Sequence, residues 1–390
     1  MQDVETEFDV VVIGAGPAGA AAAVTARKAG LSVALVDKAR FPRDKLCGGL
    51  VSGRSLKALE RIFASQKPAQ DIYLIGHEAA WHWAGEELVR FPAPYPLWFT
   101  KRCDFDHALC QAALANGAVD YTGQRWSDLD QTRNRLTLDS GEALSYRALI
   151  AADGAASPVA AQIFGRAFDP KTIGFTLEAD YARTAETTDL MVVDFRAVPW
   201  GYGWLFPKNG TVTVGVGGLK SENPDLRPAL DSLIPKGVEI GKVKGAFLPL
   251  GDFRRKPGQG NILFVGDAAG LVDPLTGEGI AYALESGDIA ARVAAQAITK
   301  GEPAKAGKEY CKRLKPFHRD LQRALKLRQL AYLKAFEAKF RDRLQNSPRI
   351  RQAFFELLDG SLNYRGLEKQ ISRATLAKLG RKMKIWPGRR

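Results

Sequence analysis

The chain has 390 residues, 46% hydrophobic and 25% charged, the composition of an ordinary globular protein long enough for two or three domains. Its net charge of +13 belongs to one end: from Lys300 onward there are 25 Lys and Arg against 8 Asp and Glu, while the residues before it hold 31 against 35. Four scattered cysteines (Cys47, Cys103, Cys110, Cys311) make no CxxC pair, which excludes a disulfide framework and a structural zinc site and points to a reducing cytoplasm. Met1–Phe8 carries three acids and no basic residue, unlike a signal peptide. The apolar run from Val10 to Val36 is broken by Arg27 and Lys28, so it reads as strand, turn and helix and not as a membrane span.

Taken in chain order, Phe8–Ile13 is a buried-strand run, GAGPAG follows, and the Ala-rich stretch Ala20–Ala29 is a helix that Gly30 ends. Leu31–Val36 is a second strand finishing at Asp37, which completes a β-α-β unit. In that setting Gly14 permits the tight turn, Gly16 lets a pyrophosphate approach the backbone, and Gly19 lets helix and strand pack closely. Asp37 stands where a carboxylate binds ribose hydroxyls, and Ala18 and Lys38 complete the candidate dinucleotide contacts. Residues 48–100 read as irregular, because prolines cluster with aromatics in FPAPYPLWF. Phe105–Asn116 reads as helix, and Leu136–Leu138 and Ala148–Ala151 as strands. From about 167 to 256 strands alternate with turns, Tyr202–Pro207 among them. Asn261–Val265 is again a buried strand, Gly279–Lys300 a helix, and the chain after Gly301 is almost wholly helical. Tyr310, Leu314, Phe317, Leu321 and Leu325 recur at helical spacing, and Ser347-Pro348 is a helix start with Ser347 as N-cap.

Distal motifs separate FAD from NAD. Asn261–Gly270 (NILFVGDAAG) is an apolar strand ending in Gly266-Asp267, where the carboxylate can accept hydrogen bonds from a ribityl chain that NAD lacks. LVDPLTGEGI leads into a helix whose start, at Gly277, Gly279 and Ile280, would aim N–H groups at the pyrimidine edge of a flavin. Asp153 in AADGAASPVA, and Arg102 spaced before Asp106 and Leu109, complete a set that resembles the flavoprotein hydroxylase superfamily. The resemblance covers roughly residues 8–300 and implies FAD.

Two more stretches narrow it. KLCGG at 45–49 and PWGYGWLFP at 199–207, which fits P-x-x-Y-x-W-x-F-P, resemble the geranylgeranyl reductase family. The resemblance implies an α/β (α+β overall) architecture with three parts. These are a Rossmann-type FAD-binding domain from 1–75, 100–165 and 258–300, an antiparallel-sheet substrate domain from 76–99 and 166–257, and a basic C-terminal helical region at 301–390. It implies that Cys47, Gly48 and Gly49 touch the flavin and that Tyr202 and Trp204 face substrate. The reaction implied is saturation of isolated C=C bonds of a prenyl lipid by hydride transfer from flavin N5, with a proton delivered to the other carbon. Cys47 is either the proton donor or a small space-filling neighbour of the cofactor.

Strand alternation puts Trp200, Tyr202, Trp204 and Phe206 on one face and Gly201 and Gly203 on the other. Such a wall suits an isoprenoid chain, since each buried CH₂ is worth about 0.8 kcal/mol; plain core packing of a sheet is the alternative. No second dinucleotide motif stands out, which leaves NAD(P)H or a ferredoxin-type protein as electron donor. An aromatic monooxygenase is the second reading, since Asp153-Gly154 also occurs in enzymes that admit NADPH. A flavin halogenase fits less well, because Asp71–Trp83 lacks the lysine such enzymes need. A non-catalytic flavoprotein is the last alternative.

The final ten residues, RKMKIWPGRR, hold five basic side chains and one tryptophan. That pattern suits contact with the anionic inner face of a membrane, the alternative being a solvated cap of charged helices. The charge carries no nucleic-acid recognition motif, so nucleic acid is not an expected partner. His77 and His82 have no third ligand in view, and no metal is expected.

Overall fold

A computed structural model of the chain describes residues 5–371, so RKMKIWPGRR at 381–390 lies outside the described residues. The order begins β1 (Glu5–Ile13), α1 (Pro17–Lys28), β2 (Val33–Asp37), β3 (Leu50–Val51), α2 (Gly53–Phe63), β4 (Tyr73–Trp83), β5 (Glu86–Thr100) and α3 (Arg102–Ala115). Next come β6 (Val119–Thr122), β7 (Trp126–Asp130), β8 (Arg135–Leu138), β9 (Ala143–Ala151) and α4 (Pro158–Phe164). They are followed by β10 (Gly174–Ala182), β11 (Leu190–Asp194), β12 (Gly201–Lys208), β13 (Thr211–Leu219), α5 (Arg227–Leu233) and β14 (Lys244–Leu248). Then come β15 (Gly258–Gln259), β16 (Ile262–Phe264), α6 (Ile280–Thr299), α7 (Ala306–Arg313), α8 (Lys315–Tyr332), α9 (Glu337–Asn346) and α10 (Pro348–Asp359).

The fold is mixed α/β on two sheets. The first has the order β15-β16-β9-β1-β2-β6, with β7 and β8 attached through β9. Its central strands are parallel: β1 runs beside both β2 and β9, and β9 beside β16. Covered on both faces, they need continuous apolar runs, and Val10, Val11 and Val12 have no exposed surface. Helix α1 is buried from Pro17 to Ala26, so only small side chains fit around it. Against it lies α6, where a methyl group on Gly287 would stand 2.1 Å from the Ala18 carbonyl oxygen. Thr25 Oγ1 donates to Asp288 Oδ1 across that crossing at 2.8 Å. The second sheet has the order β14-β10-β13-β12-β11-β4-β5-β3 and is antiparallel apart from the β11–β4 pair.

Residues 48–100 are not irregular: they form α2 and two long strands. The prolines sit in β5, where Pro92, Pro94 and Pro96 alternate as exposed positions. Along that stretch β5 pairs with β4 alone, β3 reaching only Trp98 and Phe99, so an unpaired edge tolerates residues without an N–H. The apolar row from Tyr310 to Leu325 is helical and runs over α7 and α8, with Tyr310, Leu314 and Leu321 fully buried. Pro348 does begin α10, but the Ser347 side chain makes no capping bond. No helix among the described residues is long and apolar enough to cross a membrane.

Candidate active site

The β1–α1 turn is built for close backbone packing on two of its three glycines. Gly14 has φ +102°, and a Cβ there would lie 2.3 Å from the Ala152 carbonyl oxygen. A Cβ on Gly19 would lie 1.7 Å from the oxygen of Gly14. Gly16 is different: its nearest neighbours would be an Arg43 guanidinium nitrogen at 3.4 Å and an Asp106 carboxylate oxygen at 4.0 Å. The open side of the turn therefore faces a cation at the start of α1, the arrangement a pyrophosphate needs.

That cation belongs to a buried cluster. Arg102, at the start of α3, donates to both oxygens of Asp106 at 2.7 and 2.9 Å, and Arg43 approaches the same carboxylate at 3.1 Å. Burial works against the Arg102 charge, but Asp106 outweighs it with help from the Cys47 sulfur, and the pKa rises. The sequence singled out Arg102 and the spacing to Asp106; Arg43, in FPRDKLCGG, had no motif of its own.

Asp37 accepts from the backbone N–H groups of Ala15 and Ala39, both at 2.8 Å. Each carboxylate oxygen keeps a further lone pair at the tip of β2, where Lys38 is exposed. The backbone nitrogen of Asp153 lies beside Gly14, 3.0 Å from where a Cβ on that glycine would stand. Asp153 Oδ2 accepts from Val159 N at 3.2 Å, its Oδ1 is buried without a partner among the described residues, and burial pushes its pKa up to about 6. Asp267 sits beside the start of α6, where a Cβ on Gly279 would be 3.8 Å from its Oδ1. Gly266 and Gly277 both have positive φ, and Gly266 N–H donates to Ser286 Oγ at 2.9 Å. Gly279 is the N-cap of α6, and Ile280 begins the helix. One first-turn N–H there, that of Ala281, is taken at 2.8 Å by Glu278, a half-buried carboxylate whose pKa is raised by desolvation and which the sequence reading missed.

Three segments converge opposite this crevice. A Cβ on Gly48 would lie 2.8 Å from the Phe206 ring and 3.1 Å from Trp204 Nε1, so the Cys47–Gly49 loop rests on strand β12. Tyr202 Oη donates to the Thr276 carbonyl at 3.0 Å, and a Cβ on Gly277 would reach within 2.0 Å of that hydroxyl. Burial pushes the Tyr202 phenol far up, so it stays a donor. The Tyr202 and Trp204 rings lie 5.6 Å apart and those of Trp204 and Phe206 6.5 Å apart, one row along one face. On the other face Leu233 and Ala197 pack against Gly203.

Trp200 does not continue that row. It precedes β12 with φ +52°, so alternation no longer fixes its direction, and its ring stacks on Tyr332 of α8 at 5.5 Å. Phe206 packs on Phe99 at 5.7 Å and is core in character. Trp204 Nε1 is buried without a hydrogen-bond partner among the described residues.

Beside the Cys47 loop stand two buried charged residues that no motif marked. Lys208, 5% exposed, donates to the Cys47 carbonyl at 3.0 Å. Glu178 of β10 lines the same small cavity, which also contains Lys45, Cys47 and Lys101. Burial pushes the Glu178 carboxyl up to about 7; Asp180 adds to this, while Lys208, the Cys47 backbone amide and Lys45 oppose it. Because the folded value exceeds the usual 4.5, the folded state binds the extra proton, and stability falls as pH rises from about 4.5 through about 7. Glu178→Gln removes that term. Between pH 5 and pH 8 the stability of the wild type relative to this variant should drop by about 2–3 kcal/mol, read from urea midpoints; a constant difference contradicts the assignment.

The residues present fit FAD: an open glycine under a cation, a buried Asp153 oxygen without a partner among the described residues, next to the β1–α1 turn, and a carboxylate at the head of α6. The comparisons agree. A family model described as pyridine nucleotide-disulphide oxidoreductase matches residues 8–193. The menaquinone reductase of Mycobacterium tuberculosis is 34% identical over 317 residues, covering 74% of this chain and 77% of its own. Digeranylgeranylglycerophospholipid reductase 2 of Methanococcoides burtonii is 31% identical over 317 residues, covering 76% of each. Among solved structures, a geranylgeranyl bacteriochlorophyll reductase-like protein of Thermoplasma acidophilum has TM-score 0.77 at 21% identity, covering 91% of this chain and 97% of its own. A flavin-dependent brominase has TM-score 0.71 at 21% identity over 97% of this chain and 100% of its own, and at that identity both solved structures show a shared fold alone. The chain belongs to the geranylgeranyl reductase family of FAD-dependent oxidoreductases.

Proposed function

We propose that this protein saturates isolated C=C bonds in the isoprenoid chain of a lipid. The observation that carries the reading is the meeting of the Cys47–Gly49 loop, the Tyr202–Phe206 row and the Gly277 loop at the head of α6. FAD, when bound, supplies the hydride. The first sheet with α1, α3 and α6 is its proposed binding unit, with contacts from Gly14, Gly16, Ala18, Gly19, Asp37, Lys38, Arg102, Asp153, Gly266, Asp267, Gly277, Gly279 and Ile280. Arg43 joins them at the phosphates.

The chain's own residues have separate tasks. Arg43 and the head of α1 hold negative charge. Tyr202 fixes the Thr276–Gly277 turn, and with Trp204 it walls the reacting space with aromatic surface that excludes water. Cys47 is the candidate proton holder, positioned through its carbonyl by Lys208. The electron donor is proposed as NAD(P)H or a ferredoxin-type protein, and the location as cytoplasmic with peripheral membrane contact.

The substrates named for the two relatives, menaquinone and a digeranylgeranylglycerophospholipid, share an isoprenoid chain. The test is anaerobic incubation of reduced holoenzyme with each, followed by air exposure and mass spectrometry. A gain of two hydrogens per saturated bond that survives air is expected for one of them, and Trp204→Ala should lower the rate by about 100-fold, equivalent to ~2.7 kcal/mol. A gain that reverses in air indicates reduction of a quinone ring and sinks the proposal, as does substrate-stimulated oxygen uptake with hydroxylated product.

A further inference from the structure

The corner between α8 and α9 carries apolar side chains on its outer side. The buried stripe of α8 is His318, Leu321, Ala324 and Arg328. Leu330 and Leu333 do not continue it: they are 50% and 45% exposed, and Phe336, three residues on, is 43% exposed. Only two other large hydrophobics among the described residues are as open, Val119 and Ile371. Single exposed leucines are ordinary on a protein surface, but three within seven residues call for a partner.

The corner is not a loose end. Tyr332, between two of these residues, stacks on Trp200 and donates to the Gly201 carbonyl. Arg196 pairs with Glu337 and lies over the Trp83 and Tyr332 rings. The exposed tips are therefore anchored to the residues that open the aromatic strand β12. Around them Lys326, Lys334 and Lys339 are exposed and make no ion pair among the described residues. Lys326 stands one helical turn before Leu330, Lys334 follows Leu333, and Lys339 lies one turn beyond Phe336.

We propose that Leu330, Leu333 and Phe336 insert into an anionic lipid bilayer, with Lys326, Lys334 and Lys339 at the headgroups, and that this corner delivers a membrane-held substrate to the start of β12. Apolar tips ringed by unpaired lysines match an interface that is greasy at depth and negatively charged at its surface. A protein partner of opposite charge would satisfy the lysines but gives no reason for three apolar tips to stand over the start of the strand proposed to line the lipid. The proposal rests on the reading of the substrate as a membrane lipid.

The test is sedimentation of the full-length holoprotein with vesicles of phosphatidylcholine mixed with phosphatidylglycerol, and with phosphatidylcholine alone. The wild type should bind the anionic vesicles and release them at high salt. The combined variant Leu330→Asp, Leu333→Asp, Phe336→Asp should lose about tenfold or more in vesicle affinity, with FAD content and melting temperature unchanged. Lys326→Glu, Lys334→Glu, Lys339→Glu should weaken binding to anionic vesicles and abolish most of its salt dependence. Both variants keep the basic 381–390 stretch, so undiminished vesicle binding by the triple Asp variant overturns the proposal. So does a wild-type dimer that the triple Asp variant dissociates without any change in vesicle binding. The assay needs no turnover: loss of prenyl reduction with vesicle binding intact counts against the proposed reaction and leaves the docking surface standing.

Discussion

Gly19→Val should yield a protein that purifies without yellow colour. A Cβ at this position would lie 1.7 Å from the Gly14 oxygen, 2.9 Å from the Gly14 carbonyl carbon and 3.2 Å from Val12 Cγ1. Two of those atoms are backbone of the same turn, so no rotamer change relieves the overlap, and α1 must move away from β1. The open side of the turn at Gly16 is then lost together with the alignment of the helix start toward a phosphate. An affinity loss for FAD of at least about 100-fold, ~2.7 kcal/mol, is expected, read from flavin absorbance after gel filtration and from titration of the apoprotein. Gly30→Ala serves as the control. It has φ +80° but nothing within 4 Å of its would-be Cβ, so it should cost only about 1 kcal/mol of stability and keep its flavin. Stoichiometric FAD in purified Gly19→Val would falsify the placement of the cofactor on this turn.

The second large effect is expected from Asp106→Ala. Its carboxylate is fully buried between Arg102, whose side chain is 10% exposed, and Arg43, 19% exposed. Removing it leaves two guanidinium groups facing each other with no counter-charge. Breaking a buried pair by deleting one partner costs about 3–5 kcal/mol, far more than the pair itself contributes. At about 2.1 cal/mol/K per residue, that corresponds to a melting temperature lower by about 4–6 °C for a chain of this size. Asp106→Asn keeps one acceptor oxygen but turns a donor NH₂ toward a guanidinium, so it should lose less than Asp106→Ala and still fall short of the wild type. Calorimetry decides it: an unchanged melting temperature in Asp106→Ala would mean that the arginines are satisfied elsewhere. Since Arg43 also borders Gly16, a matching fall in FAD affinity is expected.

How far these features were legible varies with their range along the chain. The β1-α1-β2 unit was readable because its signals are local: an apolar run, three glycines and an acid at the end of the next strand. The two strands β4 and β5 were not, because prolines that argue against a central strand are harmless where β5 has a single neighbour, and sheet edges are not visible in one sequence. Within PWGYGWLFP, alternation placed Tyr202, Trp204 and Phe206 correctly on one face. It failed for Trp200, whose positive φ takes it out of the strand and onto Tyr332, more than a hundred residues away. Lys208 directly follows the aromatic motif and could have been noticed. Glu178 could not, since it reaches the Cys47 loop only through the pairing of β10 with β13 and of β13 with β12. Glu278 lies in LVDPLTGEGI, where the glycines carry the recognisable signal and a single acid before a helix does not.

The reaction proposed here is tested most directly by the anaerobic reoxidation of reduced enzyme. Holoenzyme bleached with dithionite under argon is mixed with a lipid bearing an unsaturated isoprenoid chain, and absorbance near the flavin maximum is followed. The expected result is recovery of colour in proportion to the double bonds saturated, greatly slowed in Trp204→Ala. Flavin that stays bleached with every such lipid, and regains its colour only when oxygen is admitted, contradicts it.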